Sequence, residues 1–104
     1  MFQPTPRLPS GKGLIVLELL AARRELYGLE MVRASERLAR GTIYVLLGRM
    51  EERGFVTSRQ EKQETQAGMP RRLYSITGLG QRALQASRQA AITMAGDQLA
   101  GEMA

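Results

Sequence analysis

The segment from Gly41 to Val56 constrains the fold of this chain more than any other. If Ile43 lies at the centre of one helical face, the 3.6-residue period places the apolar residues Leu46, Leu47 and Met50 beside it. The opposite face then carries small and polar residues and one valine, namely Thr42, Val45, Gly48, Arg49 and Glu52. Gly54 can take the left-handed conformation that ends a helix. The segment therefore predicts a short amphipathic helix that leads directly into a strand.

Gly48 lies on the outward face of this predicted helix. A glycine inside a helix costs about 1 kcal/mol relative to alanine. Its place on the free face therefore suggests that another molecule approaches the helix backbone closely. The major groove of DNA is one candidate.

Two segments after this helix have the character of strands. Residues 55–59 and 71–77 are rich in β-branched and aromatic side chains, and the polar stretch between them contains Gly68 and Pro70. In the second strand, alternation places Tyr74 and Ile76 on one face and Arg71, Leu73 and Ser75 on the other. A recognition helix followed by such a hairpin is typical of a winged helix.

Earlier in the chain, the pattern predicts two more helices and an N-terminal arm. Residues 11–24 are apolar on nearly every side, which favours a helix buried on most faces. Tyr27-Gly28 is a turn signal, and residues 29–35 then have helical spacing. Three prolines within residues 1–10 favour an extended or disordered arm.

Composition excludes several classes of function. The chain has 104 residues, about one domain's worth, and a formal charge of +5, which suits a polyanionic partner or simply a basic soluble protein. It has no Cys and no His, so disulfides, zinc fingers and Cys or His nucleophiles are absent. No constellation of catalytic groups is evident, and neither a metal nor a cofactor is expected. No membrane span or signal peptide is recognised, so we expect a cytoplasmic protein that is not an enzyme.

The last part of the chain is rich in alanine. Ala83, Ala86, Ala90 and Met94 form a stripe at helical spacing, and Leu79 lies near the start of the same predicted helix, which Thr77 can cap. A domain this short leaves little for such a helix to cover, so a second copy of the chain is the expected occupant. The alternative is a helix that forms by propensity alone and frays.

Three blocks of sequence together resemble the PadR family of transcriptional regulators. They are Tyr27-Gly-Leu-Glu30, then Arg40-Gly-Thr-Ile-Tyr44 with Leu46-Leu47 and Arg49-Met-Glu51, and residues 68–77. The resemblance implies a mainly α fold with a small β-hairpin wing (α+β): an arm over 1–10, a winged helix-turn-helix over 11–77, and a dimerisation helix and tail over 78–104. It also implies that this C-terminal helix holds a homodimer together.

The chain departs from the family pattern at three positions. Ala39 replaces the usual capping residue before the recognition helix, and Val45 stands where the family often has proline. Met69 replaces an arginine at the tip of the wing. The last change puts insertion of the wing into the minor groove in doubt.

Ten residues are candidates for contact with double-stranded DNA. A hydroxyl can reach a phosphate, and a guanidinium can reach guanine or the backbone. For each the alternative is a solvated surface, and for Tyr44 it is packing, although the resemblance implies a phosphate contact for its hydroxyl. The candidates are Arg40, Thr42, Tyr44, Val45, Gly48, Arg49, Arg59, Lys62, Arg71 and Arg72.

The sequence therefore predicts a DNA-binding repressor that acts as a homodimer on an inverted repeat. A winged helix can instead be an adaptor that binds only proteins, and the acidic residues Glu52, Glu61 and Glu64 would favour that function. A third alternative is a sensor with a small-molecule pocket at the dimer interface. With five aromatic residues and no Trp, no stacking platform for an aromatic effector is evident in the sequence.

Overall fold

The computed structural model describes residues 9–61 and 71–103, with side chains through residue 96. The elements are α1 (Gly11–Ala22), β1 (Leu26–Tyr27), α2 (Gly28–Ala34), α3 (Ile43–Glu52), β2 (Val56–Gln60), β3 (Arg72–Ile76) and α4 (Gly78–Met103). This order of helices followed by a hairpin confirms the predicted α+β winged helix. Residues 1–8 of the predicted arm, Lys62 and the wing tip with Gly68, Met69 and Pro70 lie outside the described residues.

Helix α1 supplies the centre of the core. Ser10 caps it, because its Oγ accepts a hydrogen bond from the Gly13 amide at 3.1 Å. Val16, Leu17 and Leu20 are at most 2% exposed. The predicted helix forms, but it ends at Ala22 rather than at residue 24, and its buried residues lie on one face, whereas Glu18 and Ala21 are exposed.

The predicted turn at Tyr27-Gly28 is wrong in one respect, because Leu26–Tyr27 is a short strand. This strand, β1, pairs antiparallel with β3, Leu26 opposite Tyr74 and Tyr27 opposite Leu73, and the sheet order is β1-β3-β2. Two residues are too few for an alternating pattern to reveal a strand. Helix α2 then begins directly, and the Tyr27 amide donates to Glu30 Oε1 at 2.8 Å.

Helix α3 has the two faces that its period predicts. Ile43, Leu47 and Met50 are buried and Leu46 is half-buried, whereas the opposite face is exposed. Gly54 has φ of 83°, the left-handed region that glycine tolerates best. The Phe55 amide then donates to the Met50 carbonyl at 2.9 Å, which ends the helix and starts β2.

The wing is an antiparallel hairpin of β2 and β3, in register from Val56 opposite Ile76 to Gln60 opposite Arg72. Leu73 and Tyr74 are successive residues of β3, and both are buried. Both faces of β3 are therefore covered at these positions, because the strand also contacts α1, α2 and α4.

Helix α4 begins in the core and continues beyond it. Thr77 caps it as predicted, since its Oγ1 accepts from the Gly80 amide at 3.0 Å. Ala83 and Leu84 are buried, but every residue from Arg88 to Gly96 is exposed. The radius of gyration is 16.7 Å, whereas a compact domain of this length has about 13 Å. Among the described residues, no helix has the length and apolar character needed to cross a membrane.

Candidate nucleic-acid interface

The outward face of α3 is open along its whole length. Thr42, Val45, Gly48, Arg49 and Glu52 are all exposed. A Cβ built on Gly48 would meet nothing within 4 Å, so the helix backbone is bare at that point. This face can approach a groove without obstruction from its own domain.

Helix α3 begins later in the chain than the predicted segment, which starts at Gly41. Ile43 is its first residue, and Thr42 occupies the N-cap position, where its side chain makes no capping bond. The Ala39 carbonyl accepts from the Ile43 amide at 2.9 Å. The first amides of α3 therefore lack a side-chain cap, and the exposed Arg40 lies just before them. Such an end attracts anions.

For Tyr44 the sequence leaves two roles open, packing and contact with a phosphate, and its position is compatible with both. Its ring lies against Gly28, where an added Cβ would stand 2.9 Å from Tyr44 Cε1. The side chain is nevertheless 53% exposed. Gly28 therefore positions a tyrosine that still reaches solvent.

All three tyrosines of the chain line one cleft of about 490 Å³ between α2, α3 and the wing. We call it the tyrosine cleft; its lining residues are Tyr27, Leu29, Glu30, Arg33, Tyr44, Arg71, Arg72 and Tyr74. The sequence indicates no stacking platform for an aromatic effector, whereas the fold brings three aromatic rings to one cleft. The three rings come from β1, α3 and β3, so no sequence spacing brings them together.

The charges of the tyrosine cleft are mainly positive. Three guanidiniums line it, whereas Glu30 is its one lining carboxylate within residues 9–61 and 71–96. The guanidinium of Arg71 lies over the Tyr27 ring, 5.4 Å from the centroid, and Arg72 Nη1 donates to Ser58 Oγ at 3.2 Å. The cleft can therefore accept an anion.

Two hydroxyls of the cleft, those of Tyr27 and Tyr74, keep their protons. The Tyr27 hydroxyl donates to Glu61, which raises the pKa of Tyr27. Burial raises the pKa of Tyr74, with a smaller contribution from the charge of Glu51. Both hydroxyls are therefore hydrogen-bond donors at neutral pH.

Arg59 forms a salt bridge with Glu25 of its own domain. Its Nε and Nη2 donate to the two carboxylate oxygens of Glu25 at 2.8 and 3.0 Å, and this hydrogen bonding lowers the pKa of Glu25. The pair joins β2 to the residue before β1. Arg59 would have to leave Glu25 to contact a phosphate, unlike Arg71 and Arg72, which line the cleft.

One residue of the predicted dimer face of α4, Ala83, is buried in the structure. Ala83 is only 8% exposed and packs in the core of its own domain, so it is not available to a partner. Ala86 and Ala90 are exposed, Leu79 is 40% exposed, and Met94 is 71% exposed. Ile92, which lies off the predicted stripe, is 65% exposed. A bidentate pair from Arg88 to Glu18, at 2.6 and 3.0 Å, ties α4 to α1.

Comparison with known proteins decides the family. Residues 16–86 match the sequence profile of the transcriptional regulator PadR-like family. The chain belongs to the PadR-like family. In this PadR-like chain the match runs from α1 into α4 and includes every element of the candidate interface. No curated protein is similar enough in sequence to match.

Solved structures share the fold of this PadR-like chain. A PadR family transcription regulator from Clostridium difficile is 24% identical, with a TM-score of 0.68 over 84% of this chain and 95% of that one. A transcriptional regulator from Thermoplasma acidophilum is 30% identical, with a TM-score of 0.61 over 85% and 89%. Bacillus subtilis PadR, solved in complex with operator DNA, is 24% identical, with a TM-score of 0.63 over 73% and 45%.

Proposed function

We propose that this PadR-like regulator is a sequence-specific DNA-binding repressor that acts as a homodimer and has no enzymatic activity. The observation that carries the proposal is the open face of α3, with a bare backbone at Gly48 and the exposed side chains of Thr42, Val45 and Arg49. A helix of this shape fits the major groove. Repression would follow from occlusion of a promoter by the bound dimer.

The tyrosine cleft supports the proposal by providing a second set of DNA contacts beside α3. Arg33, Arg71 and Arg72 bring positive charge, and the exposed side chain of Tyr44 brings a hydroxyl that can donate to a phosphate oxygen. In this arrangement the cleft holds the sugar-phosphate backbone while α3 reads base edges. The operator complex of Bacillus subtilis PadR provides a precedent for DNA binding by a protein of this fold.

The exposed part of α4 supports the homodimer. Met94 is 71% exposed and lies on the same stripe as the exposed small residues Ala86 and Ala90, whereas Ile92, 65% exposed, lies on the other side of the helix. Pairing of two such helices along this stripe buries Ala86, Ala90 and Met94 and sets the distance between two recognition helices. Residues 78–104 would then form the dimerisation helix and tail.

Substitutions at Arg49 and Arg72 test whether α3 contacts base edges and the cleft contacts the sugar-phosphate backbone. A duplex selected from a random-sequence pool by the full-length protein serves as the probe. Arg49→Ala should lower affinity for it by about 1 to 3 kcal/mol and relax preference at one position of each half-site. Arg72→Ala should weaken binding to all sequences alike. The measurement is fluorescence anisotropy on the selected duplex and on single-base variants.

Thermal unfolding and sedimentation of both variants control for folding and dimerisation. Arg24 is an exposed arginine between α1 and β1, outside α3, the wing and α4, so Arg24→Ala is a matched control that should bind the duplex normally. If both arginine variants are folded, dimeric and bind every duplex like the parent, the DNA-binding face is assigned wrongly.

A further inference from the structure

Val45 is an apolar side chain that its own domain leaves uncovered. It is the third residue of α3 and is 56% exposed. Its neighbours on the same face, Thr42, Gly48 and Arg49, are exposed as well. The isopropyl group can neither donate nor accept a hydrogen bond, so it cannot bind a phosphate oxygen or the polar edge of a base. A contact at this position therefore needs an apolar partner.

The major groove offers one apolar group of this kind, the C5 methyl group of thymine. Recognition helices of helix-turn-helix proteins present their N-terminal residues to base edges, and Val45 lies in the first turn of α3. Its side chain is short, so contact requires a close approach of the helix. The bare backbone at Gly48, one turn later on the same face, allows that approach.

We infer that Val45 reads the C5 methyl group of one thymine in each half-site. The inference rests on the proposed DNA-binding function and adds the identity of a base that this helix selects. It treats valine as a specificity-determining residue, because the same contact at cytosine would meet a C5 hydrogen in place of the methyl group.

The position of Arg49 extends the inference to a second base. Arg49 follows Val45 by four residues on the exposed face, about 6 Å along the helix axis. This rise corresponds to about two base steps of 3.4 Å each. Within residues 9–61 and 71–96 its guanidinium forms no ion pair, so it can donate to guanine O6 and N7. A guanine is therefore expected within about two base pairs of the thymine.

The experiment removes single methyl groups from the DNA. The full-length protein selects a duplex from a random-sequence pool, and each thymine of that duplex is replaced in turn by uracil, which lacks only the C5 methyl. Affinity should fall about fourfold, the effect of one buried methyl group, at one thymine in each half-site. Uracil at the remaining thymines should leave affinity unchanged.

Two variants connect the effect to Val45. Val45→Ala should bind the thymine and uracil duplexes equally, whereas Val45→Thr, which retains one methyl group, should keep a smaller preference for thymine. Thermal unfolding verifies that both variants are folded. If Val45→Ala discriminates as strongly as the parent protein, another residue reads the methyl group and the inference is wrong.

The failure of this inference is distinguishable from the failure of the proposed function. If the protein binds a selected duplex tightly but no uracil substitution changes its affinity, the inference is overturned and DNA binding stands. If the protein enriches no duplex from the pool, the proposed function is overturned, and the inference with it.

Discussion

Deletion of residues 90–104 is expected to convert the dimer into a monomer. It should also lower affinity for an inverted-repeat duplex by a factor on the order of 10² or more. The truncation removes the exposed apolar side chains of Ile92 and Met94. It retains Ala83 and Leu84 in the core and the Arg88–Glu18 ion pair, so the winged helix keeps its contacts with α4. Each half-site then loses the high effective concentration that its linked neighbour supplies.

Sedimentation at micromolar concentration measures the dimerisation part of this prediction, and anisotropy on whole and half operators measures the binding part. The whole operator should lose affinity, while a duplex with a single half-site should bind the truncated and full-length proteins alike. Thermal unfolding of the truncated protein controls for its fold. A monomeric mass for the full-length protein would contradict the proposed dimer even if DNA binding persisted.

Gly80→Ala is expected to destabilise the fold by roughly 2 kcal/mol or more, although alanine favours helices. An added Cβ would lie 2.1 Å from the Phe55 carbonyl oxygen and 2.8 Å from Ile76 Cγ1. That carbonyl cannot easily move, because it accepts from the Thr77 amide at 3.1 Å. The substitution therefore separates α4 from the start of the wing. Urea unfolding measures the loss.

Gly48→Ala is the matched control for stability. Gly48 also lies inside a helix, but a Cβ there meets nothing within 4 Å. Alanine should therefore stabilise the fold by about 0.5 to 1 kcal/mol through helix propensity alone. Equal stabilisation by both substitutions would show that the contact between Gly80 and Phe55 does not determine where α4 packs.

The sequence pattern predicted the features that depend on contacts between residues a few positions apart. The two faces of α3 follow from the spacing of Ile43, Leu47 and Met50, and Gly54 ends the helix through its own backbone conformation. The Thr77 cap likewise needs only the next three residues. These features depend on contacts within a few residues, which the sequence displays directly.

Long-range contacts account for what the sequence did not predict. Strand β1 exists because Leu26 pairs with Tyr74, 48 positions later in the chain. Arg59 is occupied by Glu25, and the three tyrosines meet because three separate elements converge. Ala83 shows the same limit, since its spacing fits a dimer stripe equally well whether it faces a partner or its own core. Only the folded chain distinguishes these cases.

The dependence of DNA affinity on salt shows whether this chain binds DNA through its positive surface. A dimer that neutralises about six to ten phosphates with its α3 faces and tyrosine clefts should lose affinity with rising salt, with a slope of log affinity against log salt of roughly −5 to −9. The measurement is an anisotropy titration of the full-length protein on fragments of its own upstream region, from low to physiological salt. A slope in that range is the predicted result. A flat response, or no binding to any fragment at low salt, would contradict the account.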